Sequence, residues 1–166
     1  MPGSGKSTIG KAVARRLDLR FVDCDLSIER RVGCSIAEFF ERKGEDAFRD
    51  VEMETIASLV LSGPSVLATG GGIVLRDSNR ELLRTRTRCV YLCATPELLW
   101  GRLRRDRRRP LLQVADPQAR LRAMFDEREP LYRETAEIVI TTEGLSFHHL
   151  VDDVVQRLGA AGEPGR

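Results

Sequence analysis

The sequence lacks the features of a protein that enters or crosses a membrane. No apolar run approaches the roughly 20 residues that a helix needs to span a bilayer. The N-terminus also has no basic segment followed by an apolar core, the pattern of a secretory signal. The 166 residues, 42% of them hydrophobic, are those of one ordinary domain. We therefore expect a cytoplasmic protein with no membrane partner.

Patterns for zinc and for nucleic acid are also absent. The only two histidines are neighbours and the four cysteines form no CxxC pair, so we expect the thiols to pack in the core. Lys plus Arg is 27 against Asp plus Glu at 25, a formal charge of +2, and aromatic residues make up only 5%. Without a basic field or a stacking surface, we expect no nucleic-acid partner. The cysteines are Cys24, Cys34, Cys89 and Cys93.

Short apolar runs alternate with longer segments of helical period, which predicts an α/β fold with a parallel sheet covered by helices on both faces. We expect one domain over residues 1–158 and a disordered tail over residues 159–166. The predicted strands are Leu19–Asp23, Val66–Thr69, Cys89–Leu92 and Ile138–Thr141. The predicted helices are Lys6–Leu17, Leu26–Val32, Ser35–Arg42, Glu45–Leu61, Asn79–Thr85, Pro96–Arg105, Pro117–Arg128 and Phe147–Leu158.

The first eight residues, Met-Pro-Gly-Ser-Gly-Lys-Ser-Thr, match all but the first glycine of the GxxxxGK[ST] phosphate loop. Glycines allow successive backbone amides to turn toward one anion, and the helix that follows adds its positive N-terminal end. Lys6 would reach the terminal phosphates and Ser7 would offer a hydroxyl to Mg²⁺. The segment predicts a nucleoside triphosphate site; a flexible polar terminus is the alternative.

A phosphate loop normally joins a buried parallel strand to a helix, and no residues precede Met1 to form that strand. We therefore expect a sheet without its first strand. The strands on either side of the gap would have unpaired backbone groups. We interpret this as translation that begins upstream, or as a clipped chain.

The first predicted strand ends in two acidic residues, as Asp23-Cys24-Asp25. Residues two apart on a strand point to the same side, so both carboxylates are expected at the sheet edge where ligands of α/β proteins bind. One would hold hydrated Mg²⁺ and the other would accept a proton from an attacking hydroxyl. The alternative is that Asp25 caps the following helix and the other acid is solvated.

Three glycines and two arginines suggest an acceptor site. Thr69-Gly70-Gly71-Gly72 directly follows a strand, where bare backbone can approach a ligand. Arg49 lies early in a helix and Arg128 precedes Glu-Pro-Leu-Tyr. A guanidinium group donates two parallel hydrogen bonds to a carboxylate, although most single arginines are solvated surface residues.

Six arginines fall within eight residues and are followed by Pro-Leu-Leu. A mobile lid over about residues 105–118 explains this stretch better than nucleic-acid binding, because phosphoryl transfer benefits from cations on the equatorial oxygens. The six are Arg102, Arg104, Arg105, Arg107, Arg108 and Arg109.

The order GSGKST, Asp-x-Asp, Gly-Glu-x-x-Phe-Arg, Gly-Gly-Gly, Arg-Pro-Leu-Leu and Arg-x-Pro-Leu-Tyr resembles that of the shikimate kinases, from Met1 to about Leu158. The resemblance implies transfer of a phosphoryl group from ATP to the 3-hydroxyl of shikimate, on the route to chorismate and aromatic amino acids. It also implies a three-layer α/β/α fold with a parallel sheet of P-loop kinase type in the strand order 2-3-1-4-5. A substrate-binding region lies at about residues 26–61, and we expect a monomer.

The resemblance also implies a role for each matching residue. Asp25 would bind and deprotonate the attacking hydroxyl, with Lys6 and Arg109 as the other catalytic residues. Ser7 would bind Mg²⁺ directly and Asp23 through water. The ATP-binding set is Gly3, Ser4, Gly5, Lys6, Ser7, Thr8, Arg102 and Arg109, with Arg102 stacked on adenine. The shikimate-binding set is Asp25, Arg49, Gly71, Gly72 and Arg128.

Two other functions remain open from the sequence. A gluconate kinase would share the phosphate loop and the topology, but it would not need the paired substrate arginines. A non-catalytic nucleotide-binding module would bind ATP without turnover of any acceptor, and would act through a partner.

Overall fold

Four short strands alternate with helices in the part of the chain that the structure describes. The computed structural model describes residues 1–104 and 114–160. The strands are β1 (Arg20–Asp23), β2 (Ser65–Ala68), β3 (Val90–Cys93) and β4 (Ile138–Thr141). The helices are α1 (Lys6–Arg16), α2 (Cys24–Val32), α3 (Ile36–Leu61), α4 (Asp77–Arg86), α5 (Pro96–Leu103), α6 (Pro117–Thr135) and α7 (Phe147–Ala160), with one 3₁₀ turn at Ile73–Leu75.

The predicted elements are all found. Several boundaries differ, and the differences in three helices have physical reasons. The two helices predicted on either side of Gly44 form one kinked element, α3, because Gly44 takes φ 81° and breaks the helical path there. Helix α6 was expected to end at Arg128 and continues to Thr135, although Pro130 removes one backbone donor. Its last turns are held by burial of Tyr132 and Thr135. Helix α7 reaches Ala160, so the prediction of a disordered tail is wrong for residues 159 and 160; residues 161–166 lie outside the described chain.

The strands form two separate parallel pairs. Strand β1 pairs with β2 in the register Arg20 to Ser65, and β3 pairs with β4 in the register Val90 to Ile138. Within the described residues no ladder joins β2 to β3. With strand 1 removed, the expected order 2-3-1-4-5 leaves strand 2 beside strand 3 and strand 4 beside strand 5. The two observed pairs, β1 with β2 and β3 with β4, correspond to these.

Helices cover both faces of the strands, as the continuous apolar runs predicted. Successive strand residues face opposite sides. Leu92 and Ile140 pack with α1 and α7, whereas Tyr91 and Val139 pack with the layer that contains α3, α4, α5 and α6. The result is the expected three-layer arrangement. No helix in the described ranges is long and apolar enough to cross a bilayer.

A cavity of about 670 Å³ lies between the two strand pairs. One wall is β2 with its flanking residues, and the opposite wall is residues 88–92. Ile9 and Val13 of α1 line it from one layer and Leu83 of α4 from the other, while Met1 lies among the lining residues.

The α-amino group of Met1 is buried at this cavity. Met1 is only 3% exposed, and its nitrogen donates to the Tyr132 hydroxyl at 3.1 Å. Burial lowers the pKa of this amine from 8.0 to about 4, with smaller contributions from the positive charges of Lys6 and Arg128. The folded chain therefore holds a neutral amine at neutral pH, whereas the unfolded chain holds an ammonium group.

This difference predicts a pH dependence of stability. Between pH 8 and pH 4 the unfolded chain binds one more proton at Met1, so the free energy of unfolding falls as the pH is lowered through that window. The slope from this group is about 1.4 kcal/mol per pH unit. Urea unfolding at a series of pH values measures it, with intact Met1 verified by mass. The Nα-acetylated chain is the control, because it has no amine to bind the proton. Its free energy of unfolding should change less steeply with pH; equal slopes for the two chains would contradict the assignment.

Candidate active site

The phosphate loop turns tightly around the carbonyl oxygen of Met1. Lys6 Nζ donates to this oxygen at 2.7 Å and Ser4 Oγ donates to it at 3.1 Å. Gly3 and Gly5 take φ values of 76° and 88°, which only glycine adopts easily. Helix α1 then begins without a side-chain cap and without an acidic residue in its first turn. The loop and the helix N-terminus together favour an anion.

Helix α5 packs its last turn onto this loop. A Cβ atom at Gly3 would lie 2.8 Å from Leu103 Cγ, so Gly3 is required by close packing as well as by its φ. Arg102 Nη1 donates to the Gly3 carbonyl at 3.3 Å, which places this predicted adenine-stacking residue at the loop. Thr8 is exposed on α1. Arg109 and most of the predicted lid lie outside the described residues.

Asp23 is hydrogen-bonded both to the phosphate loop and to the helix that carries Asp25. Ser7 Oγ donates to Asp23 Oδ2 at 2.8 Å, so the two predicted Mg²⁺ ligands are adjacent. The other oxygen, Oδ1, accepts from the backbone nitrogens of Asp25 and Leu26 and thereby caps α2. The helix therefore begins earlier than predicted. The expectation that Asp25 extends from a strand is wrong, and the alternative capping role belongs to Asp23.

Asp25 lies against the three-glycine segment. A Cβ atom at Gly70 would be 2.7 Å from Asp25 Oδ1 and 3.3 Å from Glu52 Oε1. The absence of a side chain at Gly70 thus makes room for two acids from α2 and α3. Asp25 lies in the first turn of α2 and is an exposed residue.

Arg49 is fixed from several sides. Its Nη1 donates to Glu52 Oε2 at 2.7 Å and its Nη2 donates to Glu45 Oε1 at 2.9 Å. A Cβ atom at Gly72 would overlap the guanidinium group, so the glycine lets Arg49 lie directly on the backbone. Glu52 is only 2% exposed, and burial raises the pKa of its carboxyl against the opposing effect of Arg49.

Arg128 lies on α6 and contacts the same segment of glycines that Arg49 contacts from α3. Its Nη1 donates to the Gly71 carbonyl at 3.4 Å, and the same oxygen accepts from the Tyr132 hydroxyl at 2.5 Å. Burial raises the pKa of Tyr132 to about 12, so the phenol keeps its proton and donates it. Arg128 Nε is buried and has no hydrogen-bond partner within the described chain; Glu127 Oε2 is 3.6 Å away.

Two residues of this site, Glu52 and Tyr132, were not predicted from the sequence. Phe48, Glu52 and Ile56 are four residues apart and therefore lie on the same buried face of α3. An acidic residue on an apolar helix face indicates a functional side chain, so the sequence did carry a signal for Glu52. Tyr132 appears in the quoted Arg-x-Pro-Leu-Tyr motif, but its contacts with Met1 and Gly71 depend on packing between distant parts of the chain.

The described residues therefore form two adjoining regions. The first is the phosphate loop with Ser7 and Asp23. The second has the Asp25 carboxylate, two buried guanidinium groups and the bare backbone of Gly70–Gly72. Gly71 lies next to the Met1 backbone, which joins the two regions. Such a site can hold a phosphate chain beside an acceptor that carries both a hydroxyl and a carboxylate.

Comparisons with known proteins agree with this arrangement. The family model described as shikimate kinase matches residues 2–159. The shikimate kinase of Paracidovorax citrulli is 52% identical over 165 residues, which cover 98% of this chain and 90% of that protein. The shikimate kinase of Pseudomonas entomophila is 49% identical over 156 residues, which cover 94% of this chain and 91% of that one.

Solved structures give the same result for the fold. Shikimate kinase from Acinetobacter baumannii, in complex with shikimate, superposes with a TM-score of 0.92 at 39% identity, covering 98% of this chain and 92% of that one. The enzyme from Aquifex aeolicus superposes with a TM-score of 0.84 at 29% identity, covering 98% and 95%. With the family model matching nearly all of its residues, the chain belongs to the shikimate kinase family.

Proposed function

We propose that the chain transfers the terminal phosphoryl group of ATP to the 3-hydroxyl of shikimate, giving shikimate 3-phosphate for chorismate synthesis. The observation that carries this assignment is the placement of two buried arginines and the Asp25 carboxylate around Gly70–Gly72, beside the phosphate loop. Membership of the family and the similarity to a structure in complex with shikimate support it.

The ATP side uses the loop and its cations. Backbone amides of residues 3–8 would surround the phosphates, and Lys6 would exchange its bond with the Met1 carbonyl for one with a phosphate oxygen. Arg102 would stack on adenine from the loop edge, and Arg109 would neutralise charge on the transferring group. The lid at about residues 105–118 would carry Arg109 over the site, within a single domain over residues 1–158.

Ser7 and Asp23 fit a Mg²⁺ ion, because a hydroxyl and a carboxylate side by side are hard oxygen donors. Ser7 would bind it directly and Asp23 through water. When bound, Mg²⁺ neutralises negative charge on the phosphates.

The acceptor side would hold shikimate by its carboxylate and its hydroxyls. Arg49 and Arg128 would donate to the carboxylate, and the backbone at Gly71 and Gly72 would contact the ring. Asp25 would orient the 3-hydroxyl and take its proton as the oxygen attacks the terminal phosphorus. The bond between that phosphorus and the bridging oxygen of ADP breaks in the same step.

Release of ADP with different acceptors tests the function directly. With ATP and Mg²⁺ we expect release with shikimate and not with gluconate or without an acceptor. Gluconate also has a carboxylate and hydroxyls, but on an open chain, whereas the ring of shikimate holds them at fixed positions that match fixed arginines and Asp25. Release with gluconate would indicate the related sugar-acid kinase. Tight ATP binding by calorimetry with no turnover of any acceptor would indicate the non-catalytic module. Sedimentation in the same buffer tests the proposed monomer.

The Asp25→Asn variant tests the base. We expect the rate of phosphoryl transfer to fall about 100-fold or more, because the amide cannot take the proton, while ATP binding stays nearly unchanged. Asp77→Asn is the matched control, because it removes the same charge from the first turn of a different helix, α4. Unchanged turnover in the Asp25 variant, or an equal loss in the control, would remove Asp25 from the mechanism.

The Arg49→Ala variant tests the carboxylate contact. Loss of a charged hydrogen-bonding group predicts a KM for shikimate that rises about 10- to 100-fold, with little change in the KM for ATP. Arg42→Ala, on the exposed part of α3, is the control. Glu52→Gln keeps a hydrogen-bond acceptor for Arg49 but removes the charge, so it should raise the KM for shikimate less and leave kcat nearly unchanged. Equal losses for both ligands would show that Arg49 supports the fold instead.

A further inference from the structure

The Tyr132 hydroxyl contacts the backbone of the acceptor side. It donates to the carbonyl oxygen of Gly71 at 2.5 Å, although the two residues lie 61 positions apart in the sequence. Tyr132 is only 8% exposed, so water has little access to compete for this bond. A short hydrogen bond from a buried donor fixes the direction in which the carbonyl group points.

The ring that carries this hydroxyl has little freedom to move. It stacks on the ring of Tyr91, with centroids 4.9 Å apart and planes inclined by 27°. Tyr91 is buried in β3, and the Tyr132 backbone belongs to α6. Because a strand and a helix hold the two rings together, the phenol oxygen stays beside Gly71.

A carbonyl group with a fixed direction also fixes the amide that follows it. The peptide bond between Gly71 and Gly72 is trans, so the Gly71 carbonyl and the Gly72 N–H point in opposite directions. Since the carbonyl points to α6, the N–H points away from that helix. No backbone carbonyl in the described part of the chain accepts a hydrogen bond from this N–H. The bond from Tyr132 thus determines where a donor of the glycine segment points.

Arg128 shares the Gly71 carbonyl oxygen with Tyr132. Its Nη1 donates to that oxygen at 3.4 Å, a much longer contact than that of the hydroxyl. Arg128 and Tyr132 are four residues apart on α6 and therefore lie on one face of the helix. In the function proposed above, Arg128 donates to the carboxylate of the acceptor and can then leave Gly71. The carbonyl keeps a donor at that moment because Tyr132 stays bonded to it, and a buried carbonyl without a donor is costly.

We propose that Tyr132 is a positioning residue for the acceptor: it holds the Gly71–Gly72 peptide in the orientation that binds shikimate, and it lets Arg128 leave Gly71 for the substrate carboxylate. The inference rests on the function proposed above and adds to it a residue that acts through the backbone and through Arg128. Burial raises the pKa of the Tyr132 phenol to about 12, so the donor is present across the neutral range.

The Tyr132→Phe variant separates this role from packing. It keeps the ring and the stack on Tyr91 and removes only the hydroxyl. Tyr91→Phe is the matched control, because it also removes one buried hydroxyl from the same stacked pair. The Tyr91 hydroxyl has no hydrogen-bond partner among the described residues. Steady-state kinetics, calorimetric binding of shikimate without nucleotide, and urea unfolding are measured on both variants and on the unchanged chain.

We expect Tyr132→Phe to raise the KM and the Kd for shikimate about 10-fold, the scale of one lost hydrogen bond, with little change in kcat. The KM for ATP should change less than about twofold. The Tyr132 hydroxyl also accepts from the Met1 nitrogen, but the Met1 carbonyl keeps its bonds from Ser4 and Lys6 in the variant. Tyr91→Phe should leave both KM values within about twofold of those of the unchanged chain.

Four results would overturn the proposal. An unchanged KM for shikimate in Tyr132→Phe, in a chain that turns shikimate over, removes the positioning role and leaves the proposed function intact. Equal rises in the KM for both substrates, or the same rise in Tyr91→Phe, assign Tyr132 to packing. A Tyr132→Phe chain that does not fold, or whose urea midpoint lies well below that of Tyr91→Phe, assigns the hydroxyl to stability. No turnover of shikimate by the unchanged chain contradicts the proposed function, and the positioning role fails with it.

Discussion

The backbone of Met1 connects the phosphate side of the site to the acceptor side. Its carbonyl oxygen accepts from Lys6 and Ser4 and so determines the curvature of the loop. Its nitrogen donates to Tyr132, whose hydroxyl in turn donates to the Gly71 carbonyl at the acceptor site. A shift of this one residue would therefore move both substrates' contacts together. Phosphoryl transfer depends on alignment of the two substrates, so a shared backbone anchor is a direct means of keeping them in register.

The acceptor side depends on a buried ion pair that is costly to form. Taking Arg49 and Glu52 out of water costs several kcal/mol per ion, and their attraction offsets this only with good geometry. The pair is therefore a poor source of stability, and its effect is to hold the guanidinium group in one orientation on the backbone of Gly72. Glu45, which is exposed, supplies a second acceptor for the same group. An arginine already fixed in this way loses little conformational freedom when it binds a carboxylate.

Much of the fold could be predicted because the signals were local. Each strand was a short apolar run, and each helix had a periodic apolar face. The three glycines were predicted as bare backbone that a ligand can approach, and the structure shows side chains packed directly against two of them. Asp25 was placed on a strand because spacing alone cannot show that Asp23 already caps a helix with its own side chain. The contacts of Tyr132 could not be predicted, since they join residues more than 60 positions apart.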